Sequence, residues 1–329
     1  MWTGDANGKC ETLKETGIIG SLRWWYEAIV RGLGGYACDP TSKGKCELNG
    51  KEKTEKKRIE KFCPVCYLFG CGGWKRRFNL EVSSKTSTPF QLTTLSKNNR
   101  NWLSKVFEKS VNSTLPYGEV NLNFKQLKNE EVKEQIEALI SVMAHIGAIG
   151  AKTQYGFGQF DWENKMGLQD ALIVIKEFLE NKNFKRRNND SELSSLTNFW
   201  FYDLTLSPNK MLRKFQNVGF VGKHESSNFL PVSFDIRYKI PELNVNGLRE
   251  YYRQSHDKKE TSNIFGSKKV GSKVFVSHIF RKKVDGYSLR VWGFTEDYVG
   301  KEVGEGLKNL FDLEKVPPMI IGKKLCYGG

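Results

Sequence analysis

Five of the seven cysteines crowd together between positions 38 and 71: Cys38, Cys46, Cys63, Cys66 and Cys71. Cys63-Pro-Val-Cys66 has the two-residue gap that lets two thiolates reach one tetrahedral metal ion. Cys38 and Cys46 can complete a four-thiolate set across a Lys-rich loop, and Cys71 competes for the fourth place. The expected cofactor is a structural zinc ion. The alternative is that Cys63 and Cys66 are small apolar core residues beside Tyr67-Leu-Phe69. Cys10 and Cys326 stand apart and read as ordinary residues.

A second kind of chemistry is offered by cations placed beside aromatic rings and glycines. Gly17 to Arg31 reads as a helix in which Leu22, Trp25, Tyr26, Ile29 and Leu33 form one apolar stripe. Trp24 cannot lie on that stripe. It falls with Arg23, Glu27 and Arg31 on the other side, a face suited to bases, phosphates or a protein partner. In the alternative, a neighbouring loop covers Trp24. Trp74-Lys-Arg-Arg-Phe78 flanks Lys75, Arg76 and Arg77 with rings, a pattern fit for a nucleic-acid backbone or for a solvated strand end. Gly147 to Phe160 is glycine-rich but is no P-loop: Ala151 separates Gly150 from Lys152, and the segment leaves a helix where a P-loop opens one. It reads as a turn whose backbone approaches an extended ligand, with Lys152, Gln154 and Tyr155 projecting from it. A bulged helix-to-strand connection is the alternative. Arg281-Lys-Lys283 and Lys185-Arg-Arg187 read as solvated charge.

Catalysis finds little support. His145, His224, His256 and His278 are scattered, and no two have metal-ligand spacing. No serine or cysteine sits in a nucleophile elbow. His145 reads as a satisfied helix-end residue, and His224 is the best general-base candidate.

The elements that must position these residues follow from periodicity. A helix is expected from about Glu130 to Ile146, with Val132, Ile136, Leu139, Ile140 and Met143 on one face and glutamates at its start. Leu168 to Leu179 gives another. Phe78–Val82 and Phe199–Leu206 read as strands, and Pro231 to Ile240 alternates over Val232, Phe234, Ile236, Tyr238 and Ile240. Lys273–Arg281 and Tyr287–Phe294 flank Asp285-Gly286, a hairpin signal. Val303 to Leu313 closes with a helix. The charge run Lys51–Arg58 is a solvated loop or short helix. Residues 34–75 form a Cys-rich insertion, and the basic stretch 181–190 is a linker. The fold class is therefore α+β, in two domains at 1–182 and 191–329.

With 52 Lys and Arg against 37 Asp and Glu, the chain carries a formal charge of +15, which favours a polyanionic partner. Its 39% hydrophobic content sets it apart from disordered tails. No apolar run reaches the ~18 residues of a membrane span. The opening Met1-Trp2-Thr3-Gly4-Asp5 does not resemble a signal peptide, so a cytoplasmic protein with reduced cysteines is expected.

Gly20-Ser-Leu-Arg-Trp-Trp25, Cys63-Pro-Val-Cys-Tyr-Leu-Phe-Gly70 and Gly150-Ala-Lys-Thr-Gln-Tyr-Gly-Phe-Gly158 occur together here. The combination resembles the RAMP superfamily of CRISPR effector subunits, and within it the first RAMP subunit of type III-B (Cmr) complexes. Trp2-Thr-Gly-Asp5, Asn263-Ile-Phe-Gly266 and Ser272-Lys-Val-Phe275 fit as well. The resemblance implies two ferredoxin-like (RRM-related) domains. It implies a subunit without known nuclease activity that binds guide RNA and target RNA near the guide 3′ end, beside other RAMP subunits. It places Arg23, Trp24 and the Lys152–Gly158 loop on the RNA or neighbour-subunit face. Family members usually carry a strand before the Trp-Thr-Gly-Asp element, and here none precedes it.

Overall fold

The computed structural model describes residues 1, 3, 12–50, 52–91, 114–125, 127–206, 232–241, 244–267, 270–281 and 286–328. Trp2, Gly4, Asp5, Cys10, His224 and Asp285 lie outside these residues. The apolar stripe of the Trp-Trp segment produces helix α1 (Glu15–Gly32), which buries Ile18, Leu22, Trp25, Tyr26 and Ile29. The charge run becomes a short exposed helix, α2 (Glu55–Ile59), capped by the Thr54 side chain. Helix α3 (Pro64–Phe69) follows at once and is buried throughout. Strands β1 (Asn79–Gln91) and β2 (Thr114–Lys125) pair antiparallel as a two-stranded ribbon, Asn79 opposite Lys125.

Helix α4 (Glu130–Ile146) starts where the Asn129 carboxamide accepts the Val132 N–H at 3.1 Å. Glu130 and Glu131 in its first turn suit the positive end of the helix dipole. Helix α5 (Leu168–Glu180) packs on α4 through Leu172, Ile175 and Phe178. The stretch that follows is tied to the Cys-rich segment. Lys185 N donates to Phe62 O at 2.8 Å. The Asn189 carboxamide donates to Gly35 O at 2.8 Å and accepts from Ala37 N at 3.1 Å.

The second half is built on an antiparallel sheet of β3 (Phe199–Leu206), β4 (Val274–Val276), β5 (Phe280–Arg281), β6 (Tyr287–Phe294) and β7 (Ile320–Ile321), ordered β4-β6-β3-β7 with β5 also on β6. Helices α6 (Ser233–Arg237), α7 (Leu248–Tyr252), α8 (Lys258–Phe265), α9 (Asp297–Leu310) and α10 (Gly322–Tyr327) surround it. Alternation along β3 splits its side chains between two cores. Phe199 and Phe201, with Trp292 of β6, join the core of the first half. Trp200, Tyr202, Leu204 and Leu206 join the second core with Val291, Val303 and Leu307. The sheet is thus a wall common to both halves.

Helices and antiparallel strands mix in both halves, as the α+β reading expects. The expected Lys273–Arg281 strand is split into β4 and β5, β7 and α10 follow the helix expected to close the chain, and one element departs in kind. The alternating run ending at Ile240 is not a strand but one helical turn, α6, buried at every position. Val232 N donates to the Asp235 carboxylate at 3.2 Å, a local bond that closes the turn. Burial on all sides also removes the two-faced environment that makes alternation a strand signal. Among the described residues no helix is long and apolar enough to cross a membrane.

Candidate functional site

Pro64 opens α3 at a position where a missing N–H costs nothing, and Cys63 is its cap. Cys66 N approaches the Cys63 sulfur at 3.5 Å, so the two thiols sit on one turn. Cys63 N donates to the Cys46 sulfur at 3.3 Å. The Cys38 Sγ lies 3.5 Å from that of Cys66 and 3.8 Å from that of Cys63. All four sulfurs fall within 4.8 Å of one another, and all four residues are buried. A tetrahedral ion with metal–sulfur bonds of about 2.3 Å sets its ligands about 3.8 Å apart. The four thiols match that size and could hold a metal ion. An all-sulfur set selects borderline and soft ions such as zinc. Cys71, the competing fourth ligand, lies outside the set: it is partly exposed, with its thiol turned towards Gly72 O at 3.8 Å.

The thiols perturb one another strongly. Hydrogen bonds from Cys46, Cys63 and Cys66 hold the Cys38 thiol well below the ordinary range. Bonds within the same cluster, led by that to Cys38, push Cys66 well above it. Such groups lose protons as a set rather than singly.

Helix α1 borders the cluster along one face. Arg23 Nε donates to Glu27 Oε1 at 3.0 Å, its Nη1 to Gly70 O at 2.9 Å, and its Nη2 to Cys66 Sγ at 3.4 Å. Arg31 is 7% exposed. It donates to Ser194 O at 3.0 Å and Ala37 O at 3.4 Å, and approaches Glu27 at 3.6 Å. The structure therefore separates the two arginines from Trp24, which sequence reasoning had grouped with them.

Trp24 points to the seam between the halves and keeps 36% of its surface exposed. Its ring meets Trp25 and Phe294 edge-on, with centroids 5.4 and 5.1 Å away. Trp25 is buried beneath, its indole N–H donating to Ala148 O at 3.0 Å. That bond fixes α1 against the start of the glycine-rich segment. The segment forms a 3-10 turn at Thr153–Tyr155, entered by Lys152 at φ 56° and left by Gly156 at φ 97°. A side chain at Gly156 would press on Ser233 at 2.8 Å and His278 at 2.9 Å. Ser233 Oγ donates to Tyr155 O at 2.6 Å, and the Tyr155 ring stacks on Phe234 at 5.8 Å. Arg290 of β6 reaches across to Ala144 O at 3.1 Å and Gln159 Oε1 at 3.3 Å. Ala151 is exposed, and Lys152, Gln154 and Tyr155 are half-buried.

A model of the RAMP superfamily matches residues 1–161, the segment that holds α1, the thiol cluster and the glycine-rich turn. The matched segment is just under half of the chain. Among solved structures, the chain is similar to Cmr1 from Pyrococcus furiosus in its apo form, at 13% identity and a TM-score of 0.46 over 85% of this chain and 79% of that one. No curated protein matches the sequence.

The cationic triplet within the matched segment is divided in its roles. Lys75 is exposed. Arg76 donates to Phe78 O at 2.7 Å and lies over the Phe78 ring at 5.2 Å. Arg77 is held between Trp74 at 4.3 Å and Tyr67 at 4.6 Å and is paired with Glu55 at 2.5 Å. Of the three, Lys75 is the one that faces solvent.

The described histidines have separate surroundings. His145 bonds Met166 O at 2.9 Å, the satisfied helix-end role its position suggests. His256 stacks on Tyr252 at 4.0 Å between Glu260 and Glu302, at 3.1 and 2.7 Å. His278 accepts the Ser233 N–H at Nδ1 (3.1 Å), and burial pushes its imidazole down to about 3. Sequence reasoning missed Glu27 and Asn189 as parts of the thiol site. The four-residue spacing Arg23–Glu27–Arg31 carried a signal for the first; the second had none.

Proposed function

We propose that this chain is a non-catalytic RNA-binding subunit of a type III-B CRISPR effector complex. It helps to hold guide RNA and target RNA near the guide 3′ end, beside other RAMP subunits, in the cytoplasm. Its two domains, 1–182 and 191–329, are ferredoxin-like, with the Cys-rich insertion in the first. The observation that carries this reading is the coincidence, within the segment that matches the RAMP model, of an exposed Trp24 edge and a half-buried glycine-rich turn, on a chain of charge +15. Trp24 and Tyr155 offer ring faces and edges for unpaired bases, and Lys75 and Lys152 offer charge for phosphates. Gln154 supplies an amide for a base or sugar edge.

In the same reading, Cys38, Cys46, Cys63 and Cys66 hold a structural zinc ion. The ion supplies a cross-link between the 38–46 loop and α3, with no part in chemistry on RNA. Near-stoichiometric zinc in purified protein supports this, and its absence sinks it.

The functional reading is tested by RNA binding across a salt series. Backbone contacts release counterions, so log affinity should fall steeply and linearly with log salt. Salt-independent binding, or none, overturns it. Metal-independent RNA cleavage lost on His224→Ala would replace it with a RAMP endoribonuclease.

A further inference from the structure

Arg23, Glu27 and Arg31 stand one helical turn apart on one face of α1, and Glu27 touches both guanidiniums. Glu27 is 6% exposed, and the side chain of Arg31 is 4% exposed. Buried charges of this kind persist only where something balances them. Within the trio the balance is incomplete, since two cations, Arg31 and the less buried Arg23 with its side chain 22% exposed, share one carboxylate. Partly exposed Asp39 also feels Arg31, but the buried neighbouring group that can supply negative charge is the thiol cluster. Arg23 Nη2 already meets the Cys66 sulfur at 3.4 Å.

A divalent ion bound by four thiolates carries two net negative charges, and the surplus cation of the trio lies where that charge would sit. The other contacts of the trio fix the ligands themselves. Arg23 Nη1 binds Gly70 O, the carbonyl just beyond α3, which carries Cys66. Arg31 binds the carbonyl of Ala37 while Asn189 binds its N–H, so the residue before Cys38 is held from both sides.

We infer that the Arg23–Glu27–Arg31 ladder of α1 is the positioning shell of the four-thiolate metal site, and that Arg23 and Arg31 serve that site rather than RNA directly. This rests on the metal reading above. Outer partners of metal ligands typically contribute about 10- to 100-fold in metal affinity.

The test uses the full-length protein, loaded with cobalt(II) as a spectroscopic probe and then titrated with zinc in competition with a chelator. Arg23→Ala is expected to lower zinc affinity by about 10- to 100-fold and to shift the sulfur-to-cobalt charge-transfer band, because the Cys66 sulfur loses a donor. RNA affinity lost in Arg23→Ala should return at saturating zinc. Unchanged zinc affinity and an unchanged band in folded Arg23→Ala overturn the ladder while leaving the metal site standing. So does an RNA defect that saturating zinc does not repair. Should Arg23→Ala fail to fold, Arg23→Lys carries the same test, since it keeps the charge and loses the fork: a weaker shift in the same direction supports the ladder, and none overturns it. A wild-type protein that binds no metal overturns the metal reading, and the ladder with it.

Discussion

The thiol cluster and the Trp24 seam are both built on helix α1, yet they are finished differently. At the cluster, side chains meet side chains: four sulfurs, two guanidiniums, one carboxylate and one amide engage one another or nearby backbone. At the seam, the lower layer is also bonded, Trp25 to Ala148 and Arg290 to Ala144. The layer above it stays open, with Trp24, Ala151 and Lys152 reaching solvent to different degrees. One helix therefore closes a structural site on one side and leaves a surface on another. Cationic residues on a helix are not by themselves evidence of a nucleic-acid face; whether their donors are already engaged decides it.

Four measurements can break or sharpen this contrast. The largest effect is expected at the cluster. If the four thiols hold zinc as proposed, free zinc at a thousand times Kd should stabilise the fold by about 4 kcal/mol. Chelation, or Cys66→Ser, should remove that gain and lower the thermal midpoint accordingly; a midpoint indifferent to chelator breaks the contrast from the closed side. At the seam, a Cβ on Gly158, whose φ is +87°, would fall 2.2 Å from Ile149 O. Gly158→Ala should cost about 1–3 kcal/mol in urea unfolding, and a neutral result would show that the turn is free to rearrange.

A pH series probes the seam from its far side. His278 accepts the Ser233 N–H only when neutral, and its folded pKa of about 3 lies below the ordinary histidine value. The unfolded chain therefore takes up a proton as pH falls through about 6.5, while the folded one does not until near 3. This contribution is fully present above pH 6.5 and is lost progressively below it, about 1–2 kcal/mol by pH 5. In His278→Asn that portion of the acid sensitivity should vanish from the unfolding curve. The smallest effect on stability belongs to exposed Lys75: Lys75→Ala should stay within about 0.5 kcal/mol of wild type. The same change should lower the salt slope of RNA binding by about one; an unaltered slope removes Lys75 from the RNA surface.

Much of the frame could be read from periodicity. Helices at 15–32 and 130–146 and strands at 199–206 and 287–294 follow apolar patterns that their own packing rewards. Cys63 and Cys66 were legible for a similar reason, since their relation is local. Arg23 and Arg31 were not. A helical wheel assigns them to solvent, and their partners Cys66, Gly70 and Ser194 lie far along the chain. The turn at 233–237 escaped for another reason. Alternation predicts a strand only where one side is wet, and this segment is buried throughout.

The shared wall has a consequence for how the molecule can be taken apart. Phe199 and Phe201 look into one core while Trp200 and Tyr202 look into the other, one residue apart. Cutting the chain near 190 would strip the N-terminal piece of aromatic lining it does not encode and leave the C-terminal piece with a greasy flank. Neither fragment is a cassette that could be transplanted or expressed alone with its interior intact. The intact chain should melt in a single cooperative step, so a stress imposed at one end is borne by the whole.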